Sequence, residues 1–199
     1  MTSDYINNSL YTLLAYGQQA GATATAIIPP ESVVVEERLA ALCRQPKCPF
    51  WGQSMSCPPH TGGPSTMKKK LQSVRHVLVI RLEIQACSLL GEDRPQVLRL
   101  LHETVACIEQ KAEELGFLRP LGFAGGSCKS SFCAAHPDCS ALKKNGNCRY
   151  PDQARPSLSG YGVNVGKLME AAGWSGTLFS GKTDDPDALS WVAGLVLLS

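Results

Sequence analysis

No stretch of this chain is apolar for long enough to cross a bilayer. The longest apolar run, Trp191 to Leu198, falls far short of the roughly 20 residues that a spanning helix needs. The start, Met1 to Leu10, has no cationic n-region, and the apolar patch from Leu10 to Tyr16 is broken by polar residues with no small-residue cleavage pattern behind it. These absences predict neither export nor membrane insertion, and so a cytoplasmic protein. Excess charge is missing as well. A net charge of +2 and a pI near 8.1 give no strong field for nucleic acid. The one basic run, Lys68-Lys69-Lys70, reads as the solvated face of a helix, and no aromatics interleave with it to stack bases.

The common catalytic signatures are also lacking. His102-Glu103 has no second histidine at the spacing of H-E-x-x-H, and neither a Walker A nor a G-x-S-x-G sequence occurs. Gly122-x-x-Gly125-Gly126 follows a strand-like run, but it runs into a cysteine instead of opening a G-x-G-x-x-G helix. Those glycines are better suited to letting backbone approach a metal, because glycine accepts positive φ and has no side chain to clash.

What is abundant is cysteine, nine residues in a chain of 199. A chain of that length suits a single domain, 1–199, and buries a core without staples. Secreted disulfide scaffolds are shorter and carry an even count, so disulfides are the weaker reading. Seven of the nine fall into two groups, Cys43-x4-Cys48-x8-Cys57-Pro-Pro and Cys128-x4-Cys133-x5-Cys139-x8-Cys148. Thiolates this close along a loop converge on one soft ion or cluster, with intervening Gly and Pro bending the chain around it.

The second group could ligate a [4Fe-4S] cluster alone; the first supplies only three thiols. Its fourth position could stay open, could be filled by His60 or by the distant Cys87 or Cys107, or could take a cysteine from the second group. Zinc is the rival metal, since the x4 pairs Cys43/Cys48 and Cys128/Cys133 reach the upper limit of structural zinc spacing. No C-x2-C knuckle is present, and seven clustered cysteines exceed one zinc site, which favours one or two [4Fe-4S] clusters. Cys87 and Cys107 have no cysteine neighbours and read as small buried hydrophobes. His60 and His136 read as loop residues that could also donate to cluster sulfur.

The apolar pattern predicts a helix over residues 5–20 stopped by Gly21, and extended pieces between Ala22 and Val35 broken at Pro29-Pro30. It further predicts a loop over Cys43–Gly63, a helix over Lys68–Val74 and a strand over Val77–Ile84. The clearest helix is Pro95–Leu115, with Val97, Leu100, Leu101, Val105, Ile108, Ala112 and Leu115 in phase and Gly116 as the stop. A strand over Leu118–Ala124, loop to Gly162, a helix over Val163–Ala172 and a last strand over Trp191–Leu198 complete the chain. The expected class is α/β (α+β): a small mixed β-sheet flanked by helices, with two cysteine-rich loops at one end.

The first cysteine run with its Cys57-Pro58-Pro59, then Gly125-Gly126-Ser127-Cys128, Cys148-Arg149-x-Pro151-x-x-Ala154-Arg155-Pro156-Ser157 and Gly160-Tyr161-Gly162, resembles a family of uncharacterised predicted metal-binding proteins common in anaerobes. The resemblance spans roughly residues 24 to 198 and implies a cysteine-ligated metal, iron–sulfur above zinc, with no established reaction. Its ligand positions fall on Cys43, Cys48, Cys57, Cys128, Cys133, Cys139 and Cys148. Relatives often carry Met-Glu after the Pro-Ser; this chain has Leu158-Ser159 and so lacks that carboxylate. Arg149, Arg155 and Ser157 could serve the cluster, although pairing of an arginine with Asp152 or with backbone carbonyls explains it as well. Three functions remain open: electron transfer to a redox partner protein, an enzyme using an open three-cysteine cluster, or a structural zinc scaffold.

Overall fold

The computed structural model describes residues 3–177 and 188–199; Met1 and Thr2, where the leader reading begins, lie outside it. The chain runs α1 (Ser3–Gln19), β1 (Ala24–Ile28), α2 (Glu37–Ala41), α3 (Gly63–Leu71), β2 (His76–Gln85) and α4 (Ala86–Leu90). It continues through α5 (Arg94–Glu114), β3 (Leu121–Ala124), α6 (Cys128–Phe132), α7 (Val165–Ala171) and β4 (Leu189–Leu198). The four strands form one sheet in the order β1-β2-β4-β3. The α+β class is as expected, but every strand pair is antiparallel; parallel pairing is confined to an isolated bridge, Ala124 with Ser157.

The inner strands explain the sequence pattern. β2 and β4 pair over their full lengths, from His76 with Leu198 to Gln85 with Leu189, and both faces of the sheet are covered. Val77 to Ile80 and Leu195 to Leu198 are therefore buried without alternation. On one face Leu78, Ile80 and Val196 pack with Leu13 of α1 and with Leu101, Val105 and Ile108 of α5. On the other, Val77, Val79, Leu195 and Leu197 pack with Met67 of α3, with Leu158, and with Leu168 and Met169 of α7.

Two cysteines sit differently from their sequence reading. Cys107 lies on the outer side of α5 and Cys87 in α4, and both are exposed. Helical phase decides Cys107: Val105, Ile108 and Ala112 take the buried stripe and leave it outside. Leu100, also counted among the apolar residues in phase, is 44% exposed for the same reason.

Candidate metal centre

The first cysteine loop leaves α2 and is held by successive turns. The Cys48 amide donates to the Cys43 carbonyl (3.1 Å), the Trp51 amide to Cys48 (3.0 Å), and the His60 amide to Cys57 (3.0 Å). Gly52 closes the loop by donating to the Pro58 carbonyl (2.8 Å). With four prolines between Cys43 and Gly63, no regular element competes for these groups. Cys43, Cys48 and Cys57 line one cavity of about 720 Å³.

The second group begins where β3 ends. Gly125 donates to the Ala193 carbonyl (2.9 Å), and Ser127 caps α6, its hydroxyl accepting from the Lys129 amide (3.3 Å). Cys128 and Cys133 bracket that short helix. Cys128, Cys133, Cys139 and Cys148 together line a second, small cavity of about 20 Å³, with Ser54, Phe132, Arg149 and Tyr150 in its wall. The Tyr150 amide donates to the Cys148 sulfur (3.4 Å), the kind of bond that an anionic, metal-held sulfur accepts.

The two groups touch. Ser56 and Cys128 are hydrogen-bonded (Oγ to Sγ, 2.8 Å), and the neighbouring Cys57 thiol donates to the Ser127 hydroxyl (3.2 Å). Ser157 clamps the contact from its far side, its amide donating to the Ser56 carbonyl (2.9 Å), while Leu158 donates to Ala124 (3.1 Å). The Ala154-Arg155-Pro156-Ser157 run is thus the strap that holds both cysteine loops to β3. Gly160 must be glycine for that strap to lie flat, since a Cβ there would stand 2.8 Å from Pro58 Cδ.

Lys129, Glu109 and His102, which the sequence left unmarked as site residues, shape this region together with Arg149 and Arg155. Lys129 is 6% exposed, and its ammonium group donates to the Cys133 carbonyl (2.6 Å) and to the His136 carbonyl, folding the chain after α6 back on itself. Arg149 donates to the Asp138 carbonyl (3.1 Å) and stands 3.9 Å from its carboxylate, which also pairs with Lys143 (2.9 Å). Arg155 pairs with the half-buried Glu109 of α5 and not with Asp152, and it donates to the Pro151 (3.2 Å) and Ala154 (3.1 Å) carbonyls, the backbone pairing that was the other expectation; Glu109 also accepts from the Gly122 amide (3.0 Å). His102 is fully buried; its Nδ1 accepts from the Arg155 amide (3.0 Å), leaving the proton on Nε2 with no partner among the described residues. A buried lysine or histidine inside an amphipathic helix leaves no trace in hydrophobic periodicity.

Other anticipated participants stand elsewhere. His60 is exposed, His136 contributes a carbonyl to Lys129, and neither histidine lines a thiol-bearing cavity; nor do Cys87 and Cys107. Of the motif glycines, Gly126 has positive φ (85°), but what presses on it is Leu98 of α5, 2.7 Å from where a Cβ would be. It lets a helix approach, where a metal had been expected.

The electrostatics oppose free thiolates. Burial raises the Cys43 thiol above its ordinary value, and the adjacent Cys48 and Cys57 raise it further. Burial pushes Cys128 up to about 11, against the pull of the Ser56 and Ser54 hydroxyls. Cys133 is raised by burial, partly offset by the Arg149 guanidinium. A soft cation would reverse this balance by supplying the missing positive charge, so metal uptake would release protons. All nine cysteines are free, and no three His, Cys, Asp or Glu side chains among the described residues are drawn to the spacing of a single ion. Among the described residues neither cavity wall has a carboxylate or an imidazole, and the thiols fit a soft metal or a cluster in chemistry.

The fold is thus a small antiparallel α+β frame that brings two sets of free thiols into contact. The model of the family described as Predicted metal-binding protein (DUF2284) matches residues 26–198, and the chain belongs to that family. No curated protein and no solved structure matches the chain. No described helix is long and apolar enough to cross a membrane.

Proposed function

We propose that this is a cytoplasmic iron–sulfur protein that passes single electrons to a partner protein, without binding nucleic acid or membrane. One [4Fe-4S] site would be held by Cys128, Cys133, Cys139 and Cys148, and a second by Cys43, Cys48 and Cys57. The observation that carries this reading is the convergence of four thiols on one cavity with a backbone N–H aimed at the Cys148 sulfur. A cluster bound there supplies one-electron transfer without any acid or base. The protein's own residues exclude water, neutralise charge through Lys129 and Arg149, and fix the loops. A reducing compartment keeps such thiols unpaired.

Anaerobic purification with iron, zinc and acid-labile sulfide analysis tests this. About eight irons per chain would support two clusters and about four a single one. Zinc with no sulfide would overturn the reading. Structural zinc at the second group is the alternative that one observation favours, because a cavity of about 20 Å³ suits a single ion unless the thiols turn outward.

A further inference from the structure

The cavity beside the first cysteine group is far larger than three thiols need. Its volume of about 720 Å³ lies within the 300–1,000 Å³ typical of sites for small organic ligands. Leu39, Phe50, Trp51, Leu98, Val163 and Val165, from the cysteine loop, α2, α5 and the start of α7, make most of its wall apolar. Cys43, Cys48 and Cys57 occupy one part of that wall, so a compact cluster held by them would fill only part of the space.

Besides the thiols, the polar side chains of the described wall are Arg94, Asn164 and four serines. Arg94, at the start of α5, carries the only charge among the described lining residues, and one of its nitrogens is anchored on the Leu89 carbonyl (3.3 Å). Asn164 is spent, its carbonyl oxygen accepting from the Lys167 amide (3.1 Å) and its amide nitrogen donating to Glu36 (2.6 Å). Ser157 is 5% exposed and lines this cavity, where its hydroxyl is available to a ligand. An anion finds a guanidinium here, whereas a cation finds no carboxylate among the described lining residues.

We infer that this cavity binds a small organic carboxylate with an apolar, ring-sized body, its carboxylate on Arg94 and its body against Phe50, Trp51 and Leu98. Ser157 would donate to an oxygen of the ligand, and the remainder of the molecule would face the three thiols. The inference deepens the metal reading of Cys43, Cys48 and Cys57, and rests on it only for what the ligand meets at the thiol side.

Titration of the anaerobically purified full chain with phenylacetate, followed by Trp51 fluorescence and by calorimetry, tests it. Saturable binding with a Kd below about 1 mM is expected, and phenethylamine, of like shape and opposite charge, should not bind. The Trp51→Phe variant should lose the fluorescence change and bind phenylacetate more weakly by calorimetry, because it removes part of the wall that holds the ligand's body. Arg94 is exposed, so Arg94→Gln should fold normally and weaken phenylacetate at least about tenfold, the loss of one charged hydrogen bond. Absence of saturable binding by the unaltered chain, equal binding of the amine, or indifference to Arg94→Gln would each overturn the inference. Iron and sulfide measured on the same sample separate the two proposals. Binding without iron leaves the cavity and removes the cluster; iron without binding does the reverse.

Discussion

His102 shows how one residue ties the core to the cysteine region. It sits edge-on to Phe132 of α6 (ring centroids 5.7 Å apart) and accepts from the Arg155 amide of the strap. Burial, with the Arg155 charge second, holds its imidazole down to about 4 from the usual 6.5. The unfolded chain therefore takes up a proton near pH 6.5 that the folded chain refuses until about pH 4. The folded state keeps its full advantage above 6.5 and loses it progressively as pH falls through that window. The loss amounts to ~3 kcal/mol at most. His102→Asn, which retains an acceptor for the Arg155 amide, should flatten the dependence, as read from urea midpoints at pH 7 and pH 5. A slope unchanged by the substitution would place the titration elsewhere. Nothing in the sequence around His102 signals this role, because the residue it serves lies 53 positions further on.

Among the elements, the strap around Arg155 and its partner Glu109 joins α5, β3 and the second cysteine loop. Both side chains are mostly shielded, so removing one leaves the other charge uncompensated. Arg155→Met is expected to cost about 3 kcal/mol of stability, and the Arg155→Met/Glu109→Met double variant to recover part of it. Chemical denaturation of the three proteins measures this; additive losses would mean the pair is not coupled. The strap was visible as a motif while its partner was not. α5 itself was legible from Val97 to Ala112, and β2 from its unbroken Val77–Ile80 run. α4 and α6 were missed, since five residues around a cysteine or a Ser127 cap contain too few apolar positions to establish a period. The cysteine groups were legible as groups because their spacing is local. Their contact through Ser56–Cys128 and Cys57–Ser127 was not, because it joins residues some 70 positions apart.

For the whole molecule, strand order is the feature that no run of hydrophobicity encodes. β2 and β4 read alike in the sequence, and either could have been inner or edge; the structure makes both inner and places β3 against β4 alone. β3 delivers Ser127 and Cys128 to the first cysteine loop, so the junction of the two thiol sets is fixed only when β4 is in place. During synthesis, however, β4 leaves the ribosome after all seven grouped cysteines. Until then β3 has no neighbouring strand to pair with, so the junction it carries has no platform to set its spacing. A chain ending at Thr177 should accordingly take up no stoichiometric metal, measured by metal analysis after anaerobic purification, while the full chain does. Loading then follows the emergence of β4, and any machinery that delivers the metal must wait for that strand to dock.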